Sequence, residues 1–290
     1  MKDVEVLGAY DGPLFWECET CGIQLLRFSR RIAKLDAKVT KRGIVTPDKH
    51  FPLHDKKAIN CLIKAIKIIK PNFYIDLGDV GEFESVSHWQ WKKKKRPPLE
   101  YQIPFVDKDI EGVNAGMDII DEALYKVGCK EKYITQGNHD EWLDRFVMEN
   151  PYLTDYTFRK SIRLDERGYK YYPAGKYLKI GRMNYYHGHH FAGMTHTRNH
   201  LLRLGANIMY GHHHDLQQSS VTHLDGVKSS WSIGCLKDMT SEQNSWLGGR
   251  QHNWSHAFAV VDYFDKGLFT VHVINIIEGR TSLWGKLIEG

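Results

Sequence analysis

The sequence predicts a layered α/β fold built around a mixed β-sheet, and three observations carry that reading. In the first half, short apolar runs alternate with amphipathic helical stretches. In the second half the pattern shifts to short strands with turn residues at hairpin spacing. No internal repeat or long low-complexity tract interrupts either half, which disfavours a solenoid or a propeller. With 42% apolar and 26% charged residues the chain can bury a core, so a disordered chain is excluded.

The elements follow in order. From Gln24 to Val39 the residues Leu25, Phe28, Ile32, Leu35 and Val39 recur at steps of three and four. Arg27, Arg30, Arg31, Lys34 and Lys38 lie between them, so a basic amphipathic helix is expected, covering the core in preference to serving as a nucleic-acid arm. Residues 1–42 thus form an N-terminal extension ahead of a main domain at 43–290. A short strand over Gly43–Thr46 leads to Pro47-Asp48-Lys49-His50. A helix over Asp55–Lys70 places Ala58, Ile59, Leu62, Ile63, Ile66 and Ile69 on one face and stops at Pro71, with Asp55 as its cap. Phe73–Leu77 is a buried strand ending at Gly78-Asp79. Val113–Val127 is a helix bounded by Gly128, and Lys132–Thr135 is a strand running into Gly137-Asn138-His139-Asp140. Hairpins are expected over Tyr177–Tyr186, over Ser219–Ile233 with its turn at Asp225-Gly226, and over Ala257–Ile277 with its turn near Asp265-Lys266-Gly267. Between them Ala206–Tyr210 is a short strand ending at Gly211-His212.

Composition narrows the function. The net charge of +5 suits a polyanionic partner without requiring one. Five cysteines imply no disulfide framework and favour a reducing compartment. No apolar leader is seen, and the best apolar run, Cys61–Ile69, is broken by Lys64 and Lys67, so a cytoplasmic protein is expected. Cys18-Glu19-Thr20-Cys21 has zinc-knuckle spacing but no second pair, so one chain does not complete such a site; a homodimer sharing its pairs would.

Histidine is the outlier. Of sixteen, nine fall between His187 and His223, where an even spread would put about two. Polar clusters also stand just past the ends of predicted strands: Asp48 with His50, Asp79, Asn138 with His139, and His212 with His214. Ligands of α/β sheets bind outside the carboxyl ends of strands, so these groups converge if the strands are neighbours. Taken singly, each is a turn or cap residue. Taken together they are a mixed nitrogen and oxygen donor set, suited to Mn²⁺, Fe or Zn²⁺ better than to Ca²⁺, and numerous enough for two ions.

The ordered pattern Asp48-x-His50, Gly78-Asp79, Gly137-Asn138-His139-Asp140, His187-Gly188 and Gly211-His212-His213-His214 resembles the calcineurin-like metallophosphoesterase superfamily. His50-Phe51-Pro52-Leu53-His54-Asp55 and Asn253-Trp254-Ser255-His256-Ala257-Phe258-Ala259 are similar to a subgroup often encoded by tailed phages, which would place the protein in a host cytoplasm. The resemblance implies a four-layer αββα sandwich with two mixed sheets. It implies two divalent cations, Mn²⁺ foremost, with Fe, Zn²⁺ or Ni²⁺ as alternatives. Asp48, His50 and His214 would hold one, Asn138, His187 and His212 the other, and Asp79 would bridge them. His139 would act as general acid, oriented by Asp140. Two such cations acidify a bridging hydroxide and clamp phosphate oxygens. His189 and His190 compete with His187 for its slot, and Gly188 favours His187.

Where the superfamily's protein phosphatases carry G-D-x-x-D-R and G-N-H-E, this chain has Gly78-Asp79-Val80-Gly81-Glu82-Phe83 and Asp140. The missing Arg argues for the phosphodiesterase and nuclease branches. Trp89 and Trp91 followed by Lys92, Lys93 and the rest of the basic run to Arg96 suit a nucleic-acid backbone and its bases, as does Arg250 in the Gly-rich aromatic stretch Trp246–Trp254. The expected activity is therefore hydrolysis of nucleic-acid phosphodiesters. The alternatives are a phosphomonoesterase on nucleotides, phosphopeptides or small esters, and a nucleic-acid-binding accessory protein with a structural metal site.

Overall fold

The computed structural model describes residues 14–17, 24–27, 39–92 and 94–290. The chain divides into two compact units, 1–38 and 39–290. In the first, β1 (Leu14–Glu17) pairs antiparallel with β2 (Gln24–Arg27), setting Phe15 opposite Leu26 and Trp16 opposite Leu25. The helix expected from Gln24 is corrected at its start. Its first four residues put their backbone hydrogen bonds into a ladder with β1 instead of into a helical turn. Residues 28–38, Cys18 and Cys21 lie outside the described residues.

The larger unit begins with β3 (Lys41–Thr46), α1 (Lys56–Ile69), β4 (Phe73–Asp76), the single turn α2 (His88–Trp91) and the long α3 (Leu99–Lys126). It continues with β5 (Glu131–Thr135), α4 (Asn138–Glu149), the turn α5 (Phe158–Ser161), β6 (Tyr169–Tyr172), β7 (Leu178–Ile180), β8 (Met183–Tyr185), α6 (His196–Leu204) and β9 (Ile208–Tyr210). Strands β10 (Leu216–His223), β11 (Gly226–Ile233), β12 (His256–Tyr263), β13 (Phe269–Ile276), β14 (Arg280–Leu283) and β15 (Lys286–Glu289) complete it. Asp55 caps α1 as expected, accepting the Ala58 N–H at 2.7 Å. Helix α3 starts at Leu99, well before the expected Val113; Pro104, which reads as a breaker, lies in its second turn. Among the described residues no helix is long and apolar enough to cross a membrane.

Two mixed sheets form. One runs β13-β12-β3-β4-β5-β6, with β3 to β6 parallel; the other runs β10-β11-β9-β8-β7, with β11, β9 and β8 parallel. Alternation along the first sheet sorts its side chains between two cores. Ile44, Tyr74, Ile134, Phe258 and Val260 face α1, α3 and α4, whereas Val45, Phe73, Ile75, Tyr133, Ala259 and Val261 meet Met183, Tyr185, Met209 and Ile233 of the second sheet. A third cluster, Tyr186, Ile208 and Tyr210 with Leu204 at the end of α6, covers the second sheet's outer face. The order is helix, sheet, sheet, helix: the αββα sandwich with two mixed sheets that the sequence led us to expect. Its consequence for function is geometric. The chain leaves the carboxyl ends of β3, β4, β5, β8 and β9 at the polar clusters singled out above.

Candidate metal centre

The loops after β3, β4 and β5 bring Asp48, His50, Asp79 and Asn138 to one edge of the sandwich, and those after β8 and β9 bring His187, His212 and His214 to the same place. Donor atoms of Asp48, His50 and His214 lie within 4.8 Å of one another, as do those of Asp79, His187 and His212, and those of His50, Asp79 and His139. His187 Nε2 stands 2.9 Å from Asn138 Oδ1, 3.2 Å from Asp79 Oδ2 and 3.2 Å from His212 Nδ1. His50 Nε2 stands 3.1 Å from His214 Nε2 and 3.8 Å from Asp79 Oδ2, and His214 Nε2 is 3.5 Å from Asp48 Oδ1. His189 is half-buried and His190 exposed, and neither belongs to these groups.

Three of these rings have their Nδ1 set by a neighbour. Backbone carbonyls only accept, so His187 Nδ1 must donate to Leu77 O at 3.0 Å and His139 Nδ1 to Glu82 O at 2.8 Å. Glu82 Oε2, 2.8 Å from His50 Nδ1, fixes that ring in the same way. In the neutral form of each of these rings Nε2 is the nitrogen with the lone pair. His50 Nε2 against His214 Nε2, and His187 Nε2 against the Asp79 and Asn138 oxygens, are contacts of which a proton satisfies one and a cation several. The donor chemistry therefore fits divalent metal ions.

The backbone is shaped to deliver these groups. His50, Asp79, His212 and His214 have φ of 50°, 46°, 64° and 61°, the left-handed region that side-chain-bearing residues rarely enter. Such strain concentrates where the surrounding structure over-determines a functional geometry. Two glycines permit the closest approaches: a β-carbon on Gly137 would overlap Asp79 Oδ1, and one on Gly211 would overlap Asp48 Oδ2. Both Asp48 oxygens also accept the His212 N–H at 2.9 Å, and Asp79 Oδ1 accepts the His139 N–H at 2.9 Å.

Electrostatics follows from burial against charge. Burial lowers His50 to about 4, helped by Lys237 and opposed by Glu82. Burial also lowers His212, with His187 adding to the effect. At His187 burial is outweighed by Asp79, Asp48 and Asp140, which raise it to about 9. Asp79 is held well below the carboxylate range despite burial, by His187, His139 and His50. Asp140 is pushed upward by burial and by the Asp79 charge.

The orienting role expected of Asp140 is corrected. Its carboxyl accepts backbone N–H groups of Gly137 at 2.9 Å, Val80 at 3.1 Å and Gly81 at 3.4 Å, so it ties the Asp79 loop to the start of α4. An N3 residue points back at its own helix terminus, away from the His139 ring. That half-buried ring is held by the Glu82 carbonyl and lies 3.9 Å from the Trp142 ring and edge-on to His50.

Four further residues belong to the site's framework. Glu82 bridges His50 to the buried Lys237, 2.7 Å away. Its signal was its place three residues after Asp79, where the protein phosphatases of the superfamily that the motifs resemble carry Asp. Lys49, between Asp48 and His50, is fully buried and pairs at 2.6 Å with the fully buried Asp76. That pair links the ends of β3 and β4, and Asp76 Oδ1 also accepts the Gly78 N–H at 3.1 Å.

No family model matches the chain. Two phage proteins are similar to it. The Gene 54 protein of Mycobacterium phage L5 is 23% identical over 265 residues, covering 87% of this chain and all of that protein. The Gene 54 protein of Mycobacterium phage D29 is 25% identical over 272 residues, again covering 87% of this chain and all of that protein. Among solved structures, a single mutant of Vps29 from Entamoeba histolytica is similar at 12% identity and a TM-score of 0.45, covering 86% of this chain and 99% of that one. Chaetomium thermophilum Vps29 is similar at 11% identity and a TM-score of 0.42, covering 86% and 97%.

The expected substrate-binding residues have the following local contacts. Trp89 is exposed, with Lys92 Nζ 4.9 Å from its ring centroid. Trp91 donates to Ser85 O at 3.2 Å and lines a cavity of about 470 Å³ whose wall includes Glu82, Pro52, Leu53 and Phe105. Arg250 is exposed and donates to Leu247 O at 2.9 Å. Lys93 lies outside the described residues.

Proposed function

We propose that this protein is a dinuclear metal-dependent phosphoesterase that hydrolyses phosphodiester bonds of nucleic acids. The observation that carries this reading is the sharing of Asp79. It stands between one donor group of Asp48, His50 and His214 and another of His187, His212 and Asn138, with His139 beside it and His50. Divalent cations held there supply Lewis acidity toward the phosphoryl oxygens and lower the pKa of a water. The neutral Asn138 amide adds an oxygen donor without adding charge that would repel an anionic substrate. His139 has its Nδ1–H committed to the Glu82 carbonyl, so Nε2 is the atom that carries a proton to the departing alkoxide. Water adds to phosphorus, the P–O bond to the leaving group breaks, and a phosphomonoester and an alcohol result. The position where protein phosphatases carry Arg is the buried Phe83, which supports a diester over a phosphoprotein substrate.

The test is hydrolysis of bis(p-nitrophenyl) phosphate with Mn²⁺. The wild type is expected to turn it over, and His139→Ala to lose about 10²- to 10⁴-fold while keeping its metal content. Turnover of monoesters alone, or of neither ester, overturns the reading.

A further inference from the structure

The segment from Asn244 to Trp254 inverts the usual placement of polar and apolar groups. Its amide is inside: Asn244 is buried and donates to Asp238 O at 2.8 Å and to Thr240 O at 2.9 Å. Its rings are outside: Trp246 is 61% exposed, His252 is exposed and Trp254 is half-buried. A loop that served only to pack would bury these rings.

The rings are clustered and tied to the candidate metal centre. Trp254 forms a β-bridge with Asp215, and the next N–H, of Ser255, donates to His214 O at 2.8 Å. The Trp254 ring meets the His214 ring edge-on at 4.6 Å between centroids. His252 lies 4.5 Å from it at 35°, and Trp246 6.1 Å from it at 43°. Arg250 supplies a cation, and no Asp or Glu occurs from Gln243 to Trp254 to repel a phosphate.

We propose that Trp246 and Trp254, with His252, form a stacking platform for an unpaired nucleobase adjoining the phosphate at the metal centre. The substrate class is then single-stranded nucleic acid or an unpaired end, because bases inside a duplex already stack on one another. Every base has a π-face, so such a platform tolerates all sequences. The proposal rests on the phosphodiesterase reading only for what occupies the metal centre.

The test titrates the full chain, followed by tryptophan fluorescence, with a cleavage-resistant phosphorothioate-linked hexathymidylate and with an abasic hexamer of the same linkages and charge. The hexathymidylate is expected to quench and to bind about tenfold or more tighter, as stacking of one or two bases requires. Trp246→Ala should remove most of that preference and leave abasic binding unchanged; Trp254→Leu is the second probe. Equal binding of the two oligomers by the wild type, or retention of the preference by both variants, overturns the proposal. A base preference without diester hydrolysis strikes the phosphodiesterase reading and leaves the platform standing. Hydrolysis without a base preference does the reverse.

Discussion

Glu82 Oε2 lies 2.8 Å from His50 Nδ1 and 2.7 Å from Lys237 Nζ, so one carboxylate sets the tautomer of a metal-facing ring and neutralises a buried lysine. Carboxylates that hold a ligating histidine raise its basicity and fix its aim. Glu82→Gln keeps the shape and removes the charge, so Mn²⁺ affinity measured by calorimetry should fall about 10- to 100-fold; an unchanged affinity would show that His50 is aimed by something else. The ligand candidates were legible because each follows a strand and is flanked by the glycine or second polar group that its close approach demands. Lys237 was not, since a lone lysine far along the chain looks like any solvated surface charge. His196 and His200, which lie outside the proposed ligand set, are both buried: His196 bonds Tyr210 OH at 2.7 Å and Asp215 at 3.0 Å, and its ring stacks on His213 at 3.8 Å. His200 is the sharper test of that burial. Burial lowers it to about 4, and the rings and hydroxyls facing it are Tyr186, Tyr210, Phe191, His196 and His213. A histidine depressed from its usual 6.5 contributes fully above that pH and loses its contribution as pH falls from 6.5 toward 4, because the unfolded chain then binds the proton first. Urea unfolding at pH 7 and pH 4.5 should therefore show the wild type losing about 2 kcal/mol more than His200→Gln. Equal losses would mean that His200 is already hydrated.

At the scale of elements, helices α4 and α6 and strands β6, β14 and β15 escaped the sequence reading, and α6 shows why. Its buried face is His196, Thr197, His200 and Leu201, so the periodic residues are polar and hydrophobic patterning is blind to them. The strands β3, β4, β5 and β9 were legible because they are short apolar runs that stop at glycine or proline. What holds the β3 and β4 ends in register was hidden. Lys49 and Asp76 are both fully buried and 2.6 Å apart, a pair whose partners stand 27 positions apart in a sequence that marks neither as special. Removing one member of such a pair costs about 3–5 kcal/mol, whereas replacing both by apolar residues of similar size is often neutral. Burial already raises Asp76 against the pull of Lys49, so on losing Lys49 it takes up a proton and the cost falls at the low end of that range. Lys49→Met should lower stability by about 3 kcal/mol in urea, and Lys49→Met with Asp76→Leu should recover most of it. A double variant no more stable than the single one would show that the two residues act independently.

For the whole molecule, the site has a mechanical consequence. Asp48, His50, Asp79 and Asn138 hang from the first sheet, and His187, His212 and His214 from the second, so cations held among them would join two sheets that otherwise meet through the apolar layer of Val45, Ile75, Tyr185 and Met209. The left-handed backbone at four of these residues is unfavourable, and a bound cation would gather the ring nitrogens of His50 and His214 that stand 3.1 Å apart. An ion that binds only the folded chain stabilises it by mass action, about 2.7 kcal/mol per site at a hundredfold excess over Kd. For a domain of this size that corresponds to a rise in Tm of about 5–10 °C for one site. Scanning calorimetry with Mn²⁺ against a chelator should show it. Asp79→Asn, which weakens the group common to both donor sets, should abolish most of the rise, while His139→Ala should keep it. A rise that survives Asp79→Asn would place the ion elsewhere and separate the stability of the sandwich from the site at its edge.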